Sequence, residues 1–312
     1  MTATKPILRA PRRLGRQLKK TWLLTAMLLP GLVYYLVFHY APLYGILIAF
    51  QDYRLGNGML AGPWVGMKHF LNFFNHQHFG RLVRNTLLLN LYQILLSFPV
   101  PVLLALLLNE VKQKHVKGFI QTVSYLPHFI SMVAVAGMLT VLLSPGSGIV
   151  NALLVRWFGI EPIYFLASTK WYRTVYILSD IWKTAGYGSI VYLASLAAIS
   201  PELYEAATVD GASRVQKVLH ISVPGILPTI IIMLILKIGG VMSLGVDKSL
   251  LLQTPITYEV SDVISTFVYR RGLEQAEYSF SSAVGMFNSV INACMLVLAN
   301  AVSRRVGETA LW

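Results

Sequence analysis

The sequence predicts an all-α polytopic membrane protein with six transmembrane helices, and three observations lead to this fold class. The chain has 312 residues, of which 55% are hydrophobic and only 12% are charged, so it is too apolar for an ordinary soluble protein. Its hydrophobic residues form runs of about 20 residues, which is long enough to cross a bilayer. Its basic residues lie in short segments beside those runs, so the net charge of +13 indicates membrane topology and not nucleic-acid binding.

The first predicted span begins at Trp22, directly after a basic N-terminal segment. Residues 1–20 contain seven basic residues and no acidic residue. No small-residue cleavage site follows the apolar run, which favours an uncleaved span over a signal peptide. The positive-inside rule places the basic end in the cytoplasm. We therefore predict a basic cytoplasmic segment at 1–20 and a single transmembrane domain at 21–312.

Five further spans are predicted along the chain. Their approximate bounds are 85–108, 119–143, 173–199, 226–246 and 281–302. Pro99 and Pro101 predict a kink in the second span, because proline lacks a backbone donor. Six spans place both termini on the same side, which the basic residues indicate to be the cytoplasm.

Three segments between the spans are predicted to be external. Residues 51–82 are expected to include an interfacial helix with aromatic residues at the headgroup level. These aromatic residues are Trp64, Phe70, Phe73 and Phe74. His76 and His78 lie in the same segment, but two histidines without a further ligand do not predict a metal site. Residues 144–172 form the second external segment, and residues 247–280 are expected to form a polar loop.

Residues 200–224 interrupt the hydrophobic runs with a polar segment that predicts a helix, a glycine turn and a second helix. Ser200 and Pro201 are a favourable helix start. The sequence Asp210-Gly211 breaks the helical pattern, and an amphipathic run follows. We predict that Gly211 permits a tight turn and that Asp210 caps the second helix.

An ordered set of residues in this segment resembles the EAA signature of permease subunits in type I ABC importers. The residues that carry the signature are Glu205, Ala206, Ala207, Asp210, Gly211 and Ala212, followed by Ile221, Pro224 and Pro228. Val223 departs conservatively from the leucine that is usual in the family. The stretches LLPGLVYYLVFHYAPLYGILIAFQDY and WVGMKHFLNFF resemble the oligosaccharide branch of these permeases, in particular a subunit of an alginate importer.

The resemblance implies a permease subunit of an ATP-driven, binding-protein-dependent importer of oligo- or polysaccharides in the cell inner membrane. Residues 205–212 would form the cytoplasmic coupling helix, and transport would proceed by alternating access. The implied partners are a second homologous permease, two ATP-binding subunits, an extracytoplasmic solute-binding protein, the saccharide and membrane lipid. No Gly-Lys dipeptide occurs, so a P-loop is absent and ATP and Mg would be bound by the partner subunits. We therefore predict no enzyme activity, no catalytic residue and no cofactor in this chain.

Ionisable residues within the predicted spans indicate a possible substrate pathway, because charge is costly in hydrocarbon. Asp180 and Lys183 lie three residues apart on the fourth span, where either mutual neutralisation or a place in the pathway is consistent with the spacing. Lys237 lies alone in the fifth span. The aromatic residues considered as saccharide contacts are Tyr92, Trp182, Tyr187 and Tyr192. An ion-coupled secondary transporter could use the same charges, and a membrane scaffold would need none of them.

Overall fold

The computed structural model describes residues 22–54, 56, 58, 61–307 and 310–312; in this part of the chain helices are joined by turns and loops, and the one β contact is an isolated bridge between Gln51 and Trp64. The basic segment at 1–20 lies outside the described residues. The first helices are α1 (Trp22–Tyr35), α2 (Lys68–Phe74), α3 (Phe79–Tyr92), α4 (Pro99–Glu110), α5 (Lys114–Tyr125), α6 (Met132–Leu142) and α7 (Ile149–Phe158). The others are α8 (Thr169–Ala197), α9 (Pro201–Val209), α10 (Arg214–Lys217), α11 (Val223–Gly239), α12 (Val246–Leu252), α13 (Tyr258–Ser261), α14 (Ile264–Tyr269) and α15 (Tyr278–Gly307).

Four continuous helical stretches among the described residues are long and apolar enough to cross a membrane. They are Ala26–Phe50, Phe79–Glu110, Arg214–Gly239 and Tyr278–Arg305. The pair Lys114–Phe129 and Met132–Leu142 is equally apolar but is bent by 99° at its break. Helix α8 has 29 residues, which corresponds to about 44 Å, but it is more polar than the others. These six units match the six predicted spans in order.

Three of the spans contain a π-helical turn that ends two residues before a proline. The turns are Leu36–Tyr40 before Pro42, Gln93–Ser97 before Pro99 and Val218–Ser222 before Pro224. Proline cannot donate a hydrogen bond and its ring clashes with the carbonyl four residues earlier, so a wider turn relieves the clash. In the second span Phe98 N donates to Gln93 O at 2.8 Å, five residues back. The span thus continues through Pro99 and Pro101 as one helical stretch.

An aromatic core lies at the end of the bundle where α3 and α15 begin, and it changes the assignment of residues 51–82. Phe73 is only 1% exposed and packs against aromatic residues of α3, α14 and α15. Phe70 is also buried, beside Phe50. The predicted headgroup role of these two residues is therefore wrong, whereas Trp64 and Phe74 are exposed. The error arises because helix α2 presents one face to the bundle and sequence alone does not reveal which face.

Residues 247–280 are not a solvated polar loop, so that prediction is wrong. The segment folds into helices α12, α13 and α14 and a π-helical turn at Arg270–Glu274. Several of its polar side chains are buried, namely Lys248, Ser249, Thr257, Ser261, Asp262 and Thr266. Polar residues can be buried when their hydrogen bonds are satisfied within the protein. This segment consequently delivers charged groups to the bundle interior.

Candidate functional site

The coupling segment forms a helix, a turn and a second short helix, as the sequence predicts. Gly211 has a positive φ of +78°, a conformation that favours glycine over residues with a Cβ. The predicted cap at Asp210 is wrong, because Asp210 follows the end of α9 and the cap of α10 is Ser213. Ser213 Oγ accepts from Gln216 N at 3.3 Å, and Gln216 Oε1 accepts from Ser213 N at 2.8 Å. This reciprocal pair forms a capping box.

Side-chain hydrogen bonds tie the two helices of the coupling segment to each other and to the following span. Lys217 Nζ donates to Thr208 Oγ1 at 2.7 Å across the turn. Tyr204 Oη and Ser222 Oγ lie 2.9 Å apart, which joins α9 to the start of the fifth span. A displacement of α9 would therefore be transmitted to that span.

The surface of the coupling segment combines the signature residues with exposed apolar side chains. Glu205, Ala206, Asp210 and Gly211 are exposed, and Ala207 and Ala212 are half-buried. The exposed apolar residues are Leu203, Val209, Val215 and Leu219, with Val209 at 88% exposure. Clustered exposed apolar residues rimmed by polar groups are typical of a protein interaction site.

Asp180 and two lysines meet within the bundle, and one of these lysines was not anticipated. Lys248 Nζ lies 3.3 Å from Asp180 Oδ1 and donates to Tyr176 O at 2.7 Å. Lys237 Nζ donates to Gln93 Oε1 at 2.9 Å, and no acid forms an ion pair with Lys237 among the described residues. A cavity of about 430 Å³ adjoins this group, and Gln93, Asp180 and Lys237 are among its lining residues.

Lys183 does not neutralise Asp180 but caps the break in the third span. Its ammonium donates to His128 O at 2.9 Å and also contacts the carbonyls of Pro127 and Ile130. The break interrupts the regular helical hydrogen bonds here, although Pro127 O still accepts from Ile130 N at 3.2 Å. Unsatisfied backbone groups are costly at membrane depth, so the donors of Lys183 stabilise the break. Close packing holds the two spans together here, since a Cβ on Gly186 would lie only 1.9 Å from the backbone oxygen of Ser124.

Of the four aromatic candidates, Tyr192 lines the cavity beside Asp180 and Lys237, and the other three lie outside it. Tyr187 stacks on His128 with ring centroids 3.9 Å apart, beside the helix break. Trp182 is 46% exposed and lies two residues from Asp180, which puts it on the opposite side of α8. Tyr92 is half-buried and packs against a core cluster that includes Leu89. The structure thus brings Asp180, Lys237 and Tyr192 to one cavity and leaves Lys183, Tyr187, Trp182 and Tyr92 at other places.

Four arginines lie together at the end of the bundle where α3 and α8 begin, which the predicted topology places outside. The sequence analysis identified no site there. Arg270 Nη2 lies 2.7 Å from Asp262 Oδ1, and Arg81 Nη2 lies 3.5 Å from Asp262 Oδ2. Arg173 Nη2 donates to Asn85 Oδ1 at 3.3 Å. Arg84 Nη2 donates to the backbone oxygen of Glu259 at 3.5 Å. We call these four residues the outer arginine cluster.

A second polar pocket of about 540 Å³ opens near the outer arginine cluster, between α2 and the start of α15. Lys68 Nζ lies 2.7 Å from Asp52 Oδ2, and this contact lowers the pKa of the Asp52 carboxyl. Burial lowers the pKa of His76, and the neighbouring Arg271 guanidinium lowers it further. No group of three or more His, Cys, Asp or Glu side chains suited to a metal occurs in the described part of the chain.

Sequence reasoning missed Lys248 and Arg270 because it placed residues 247–280 in solvent, and it missed the other arginines of the cluster because their partners are distant in sequence. One signal could have found Lys248: an aspartate inside a predicted span requires a counter-charge, and a lysine before the apolar run Leu250-Leu251-Leu252 is a candidate. The arginines carried a weaker signal, since they lie at the outer ends of spans where the positive-inside rule does not expect them.

Comparisons with known proteins agree with the helical architecture. A family model described as "Binding-protein-dependent transport system inner membrane component" matches residues 97–308. The polygalacturonan/rhamnogalacturonan transport system permease protein YteP of Bacillus subtilis is 44% identical over 92% of this chain and 89% of its own length. Protein LplB of the same organism is 41% identical over 95% of this chain and 92% of its own length.

Solved structures give the same result for the fold. A crystal structure of a bacterial ABC transporter involved in the import of the acidic polysaccharide alginate contains a chain that is 44% identical, with a TM-score of 0.87. The match covers 95% of this chain and all of that chain. A second structure, of an alginate transporter in complex with an alginate pentasaccharide-bound periplasmic protein, matches with a TM-score of 0.88 at 44% identity over 96% of this chain and all of that chain.

Proposed function

The chain belongs to the family of binding-protein-dependent transport system inner membrane components, and we propose that it is the permease subunit of an ATP-driven importer of acidic oligo- or polysaccharides. Family membership makes it a multi-pass inner membrane protein and a transport subunit. The prediction of an ABC importer permease for oligosaccharides is confirmed, and the ion-coupled alternative has no support in the family. The acidic class of the saccharide is our proposal.

One observation carries the acidic class of substrate. Two proteins that are each 44% identical to this chain over more than 90% of its length are named for acidic polymers, namely polygalacturonan and alginate. Galacturonan and alginate are both chains of sugar acids, so both present repeated carboxylates. A shared preference for sugar acids in such similar permeases supports the same preference here.

The charges inside the bundle are consistent with an anionic substrate. Lys183, Lys237 and Lys248 lie at this level of the bundle, and only Lys248 pairs with an acid among the described residues, namely Asp180. Positive charge therefore exceeds negative charge here. We propose that the saccharide passes the cavity beside Asp180 and Lys237 and that Lys183 and Tyr187 hold the broken third span against α8. We propose that Trp182 and Tyr92, which lie outside this cavity, contact the sugar rings elsewhere along the pathway.

The mechanism that we propose is alternating access driven by partner subunits. Two ATP-binding subunits would bind ATP and Mg. One of them would contact residues 205–212 of this chain, and the other would contact the equivalent segment of a second permease. ATP-driven closure would move the coupling segments, and the bonds from Tyr204 to Ser222 and from Lys217 to Thr208 would carry the movement into the fifth span. An extracytoplasmic solute-binding protein would deliver the saccharide to the outer side, with both termini in the cytoplasm.

The proposed function is tested by ATP hydrolysis in the assembled transporter. We would reconstitute this chain with its paired permease, ATP-binding subunits and solute-binding protein in nanodiscs and add an oligogalacturonate, an oligoalginate or a neutral oligosaccharide of similar length. We expect stimulation of hydrolysis by an acidic oligosaccharide only when the binding protein is present. Stimulation by neutral saccharides alone would contradict the acidic class while leaving the importer intact.

A further inference from the structure

We propose that the outer arginine cluster is an entry subsite that binds the carboxylates of the saccharide before they reach the charges inside the bundle. This inference rests on the proposed function and adds a specific external site to it. The site consists of Arg81, Arg84, Arg173 and Arg270, which come from α3, α8 and the turn after α14.

Charge in the cluster is unbalanced. The only carboxylate that pairs with the arginines among the described residues is Asp262, which is 1% exposed and lies between Arg81 and Arg270. Arg84 and Arg173 contact neutral oxygens, those of Glu259 and Asn85. If the exposed carboxylate of Glu259 is counted as well, positive charges still exceed negative charges by two. An added anion would improve the electrostatics of this group.

The cluster also has more hydrogen-bond donors than acceptors. Arg81 Nε, Arg173 Nε and Arg270 Nη1 are buried and have no hydrogen-bond partner among the described residues. Most buried polar groups in proteins are paired, so several unpaired donors in one place require an explanation. A planar carboxylate accepts two parallel bonds from a guanidinium group, which makes it a suitable ligand for such a site.

The position of the cluster argues against a purely topological or structural role. The positive-inside rule favours basic residues on the cytoplasmic side, yet these four arginines lie at the outer ends of the spans. Holding Asp262 requires Arg81 and Arg270 but not the other two. Arg84 is exposed and therefore accessible to a ligand from outside.

The cluster is aligned with the charges inside the bundle. Arg173 lies seven residues before Asp180 on α8, or about 10 Å along the helix. Seven residues are two helical turns, so Arg173 and Asp180 lie on the same face of α8. Because Asp180 and Lys237 line one cavity, a polymer with a carboxylate on every sugar could contact the arginines and Lys237 in succession. An acidic patch on another protein could contact the surface arginines, but it would not account for the continuation of positive charge into the bundle.

The test measures binding of the saccharide to the assembled transporter without its solute-binding protein. The probe is a short oligogalacturonate, and the matched probe is the same oligosaccharide with every carboxyl methyl-esterified, which has the same rings and no charge. The variants are Arg84→Gln and Arg173→Gln, alone and together, since neither residue holds Asp262. Arg156→Gln on α7 removes one positive charge from an exposed site elsewhere, and Arg84→Lys with Arg173→Lys retains the charge.

We expect the wild-type transporter to prefer the free acid over the ester, with a preference that weakens at high salt. The double glutamine variant should bind the acid roughly tenfold more weakly, which is the loss of about one charge-assisted contact. The double lysine variant should recover part of this loss. Arg156→Gln should bind the acid as tightly as the wild type does, and binding of the ester should be the same in every variant.

Several outcomes would overturn the inference. The cluster is not a carboxylate subsite if the wild type binds acid and ester equally well. The same conclusion follows if the wild type and the double glutamine variant bind the acid equally well. Reduced recovery of the paired permease with Arg84→Gln would identify a subunit contact, and weaker docking of sugar-free binding protein would identify a protein contact. Stimulated hydrolysis by acidic saccharide in the wild type tests the proposed function separately, so the two hypotheses can fail independently.

Discussion

Asp180 shows how one buried charge is balanced by a residue that is distant in sequence. Its partner is Lys248, 68 positions away, and both side chains are largely buried, at 18% and 10% exposure. The ammonium of Lys248 also lies 4.2 Å from the centre of the Tyr176 ring. Each contact compensates for removing the charge from water. The pair therefore fixes α12 against α8 and shapes the wall of the proposed pathway.

Replacing Lys248 should expose the dependence of Asp180 on its partner. We expect Lys248→Met to destabilise the protein by about 3–5 kcal/mol, because it leaves a buried carboxylate without a counter-charge. The double variant with Asp180→Asn should recover most of this loss. Thermal unfolding in detergent, read by tryptophan fluorescence, measures both. A single variant as stable as the wild type would contradict the importance of the pair.

His76 should make the outer end of the bundle sensitive to pH. Burial and Arg271 lower the pKa of His76 below its ordinary value of 6.5, while Glu277 opposes this effect. Below about pH 6.5 the unfolded chain gains a proton that the folded chain resists, so stability present at higher pH is lost as the pH falls through the folded pKa.

We expect the thermal unfolding midpoint to decrease as the pH is lowered from about 7.5 to about 5.5, and we expect His76→Gln to make that decrease smaller. The control is His220→Gln, which replaces an exposed histidine in the fifth span's first turns. The pH dependence would have another origin if His76→Gln left it unchanged.

Among the helical elements, the coupling segment is the one whose shape follows most directly from local sequence. The positive φ of Gly211 and the capping box at Ser213 and Gln216 set the angle between α9 and α10. Both are local features, since they involve residues a few positions apart. The break in the third span differs, because Lys183 on α8 must supply the donors that its carbonyls need.

Gly211 should tolerate asparagine better than valine. An asparagine adopts positive φ at small cost, whereas a β-branched residue is strained by about 1–2 kcal/mol or more in that conformation. No atom lies within 4 Å of a Cβ placed there, so crowding does not contribute. We expect Gly211→Val to remain folded in the membrane but to retain less of the ATP-binding subunit on co-purification, and Gly211→Asn to retain nearly the wild-type amount. Equal retention by the two variants would refute the role of the turn.

For the molecule as a whole, the proposed orientation places the coupling segment and both termini in the cytoplasm. The turn around Ser147 would then be external, because a single span separates it from the cytoplasmic end of α5. The chain contains one cysteine, Cys294, so a cysteine-free background requires only Cys294→Ser.

Labelling with a membrane-impermeant maleimide should distinguish the two sides. In the Cys294→Ser background, we expect Ser147→Cys to react in intact spheroplasts and Val209→Cys to react only after permeabilisation. Both positions are exposed, so accessibility within the chain is matched. Labelling of Val209→Cys before permeabilisation would invert the proposed orientation.

The sequence by itself determined the class of this protein, the order of its spans and the form of its coupling segment. These features depend on composition, on apolar runs and on local signals such as Ser200-Pro201 and Gly211, all of which are readable along the chain. Asp180 and Lys237 could be identified from the sequence because charged residues are rare in a span. The structure places both at one cavity.

Only the tertiary structure decided which polar groups meet. Phe73 lies in an aromatic core, and residues 247–280 fold into the bundle. Lys248 pairs with Asp180, whereas Lys183 donates to carbonyls of the third span. The fold also gathers Arg84 and Arg173 from separate helices into one cluster. The physical reason is that a polar side chain in a bundle binds whichever group packing brings within about 3 Å, and this distance is independent of separation along the chain.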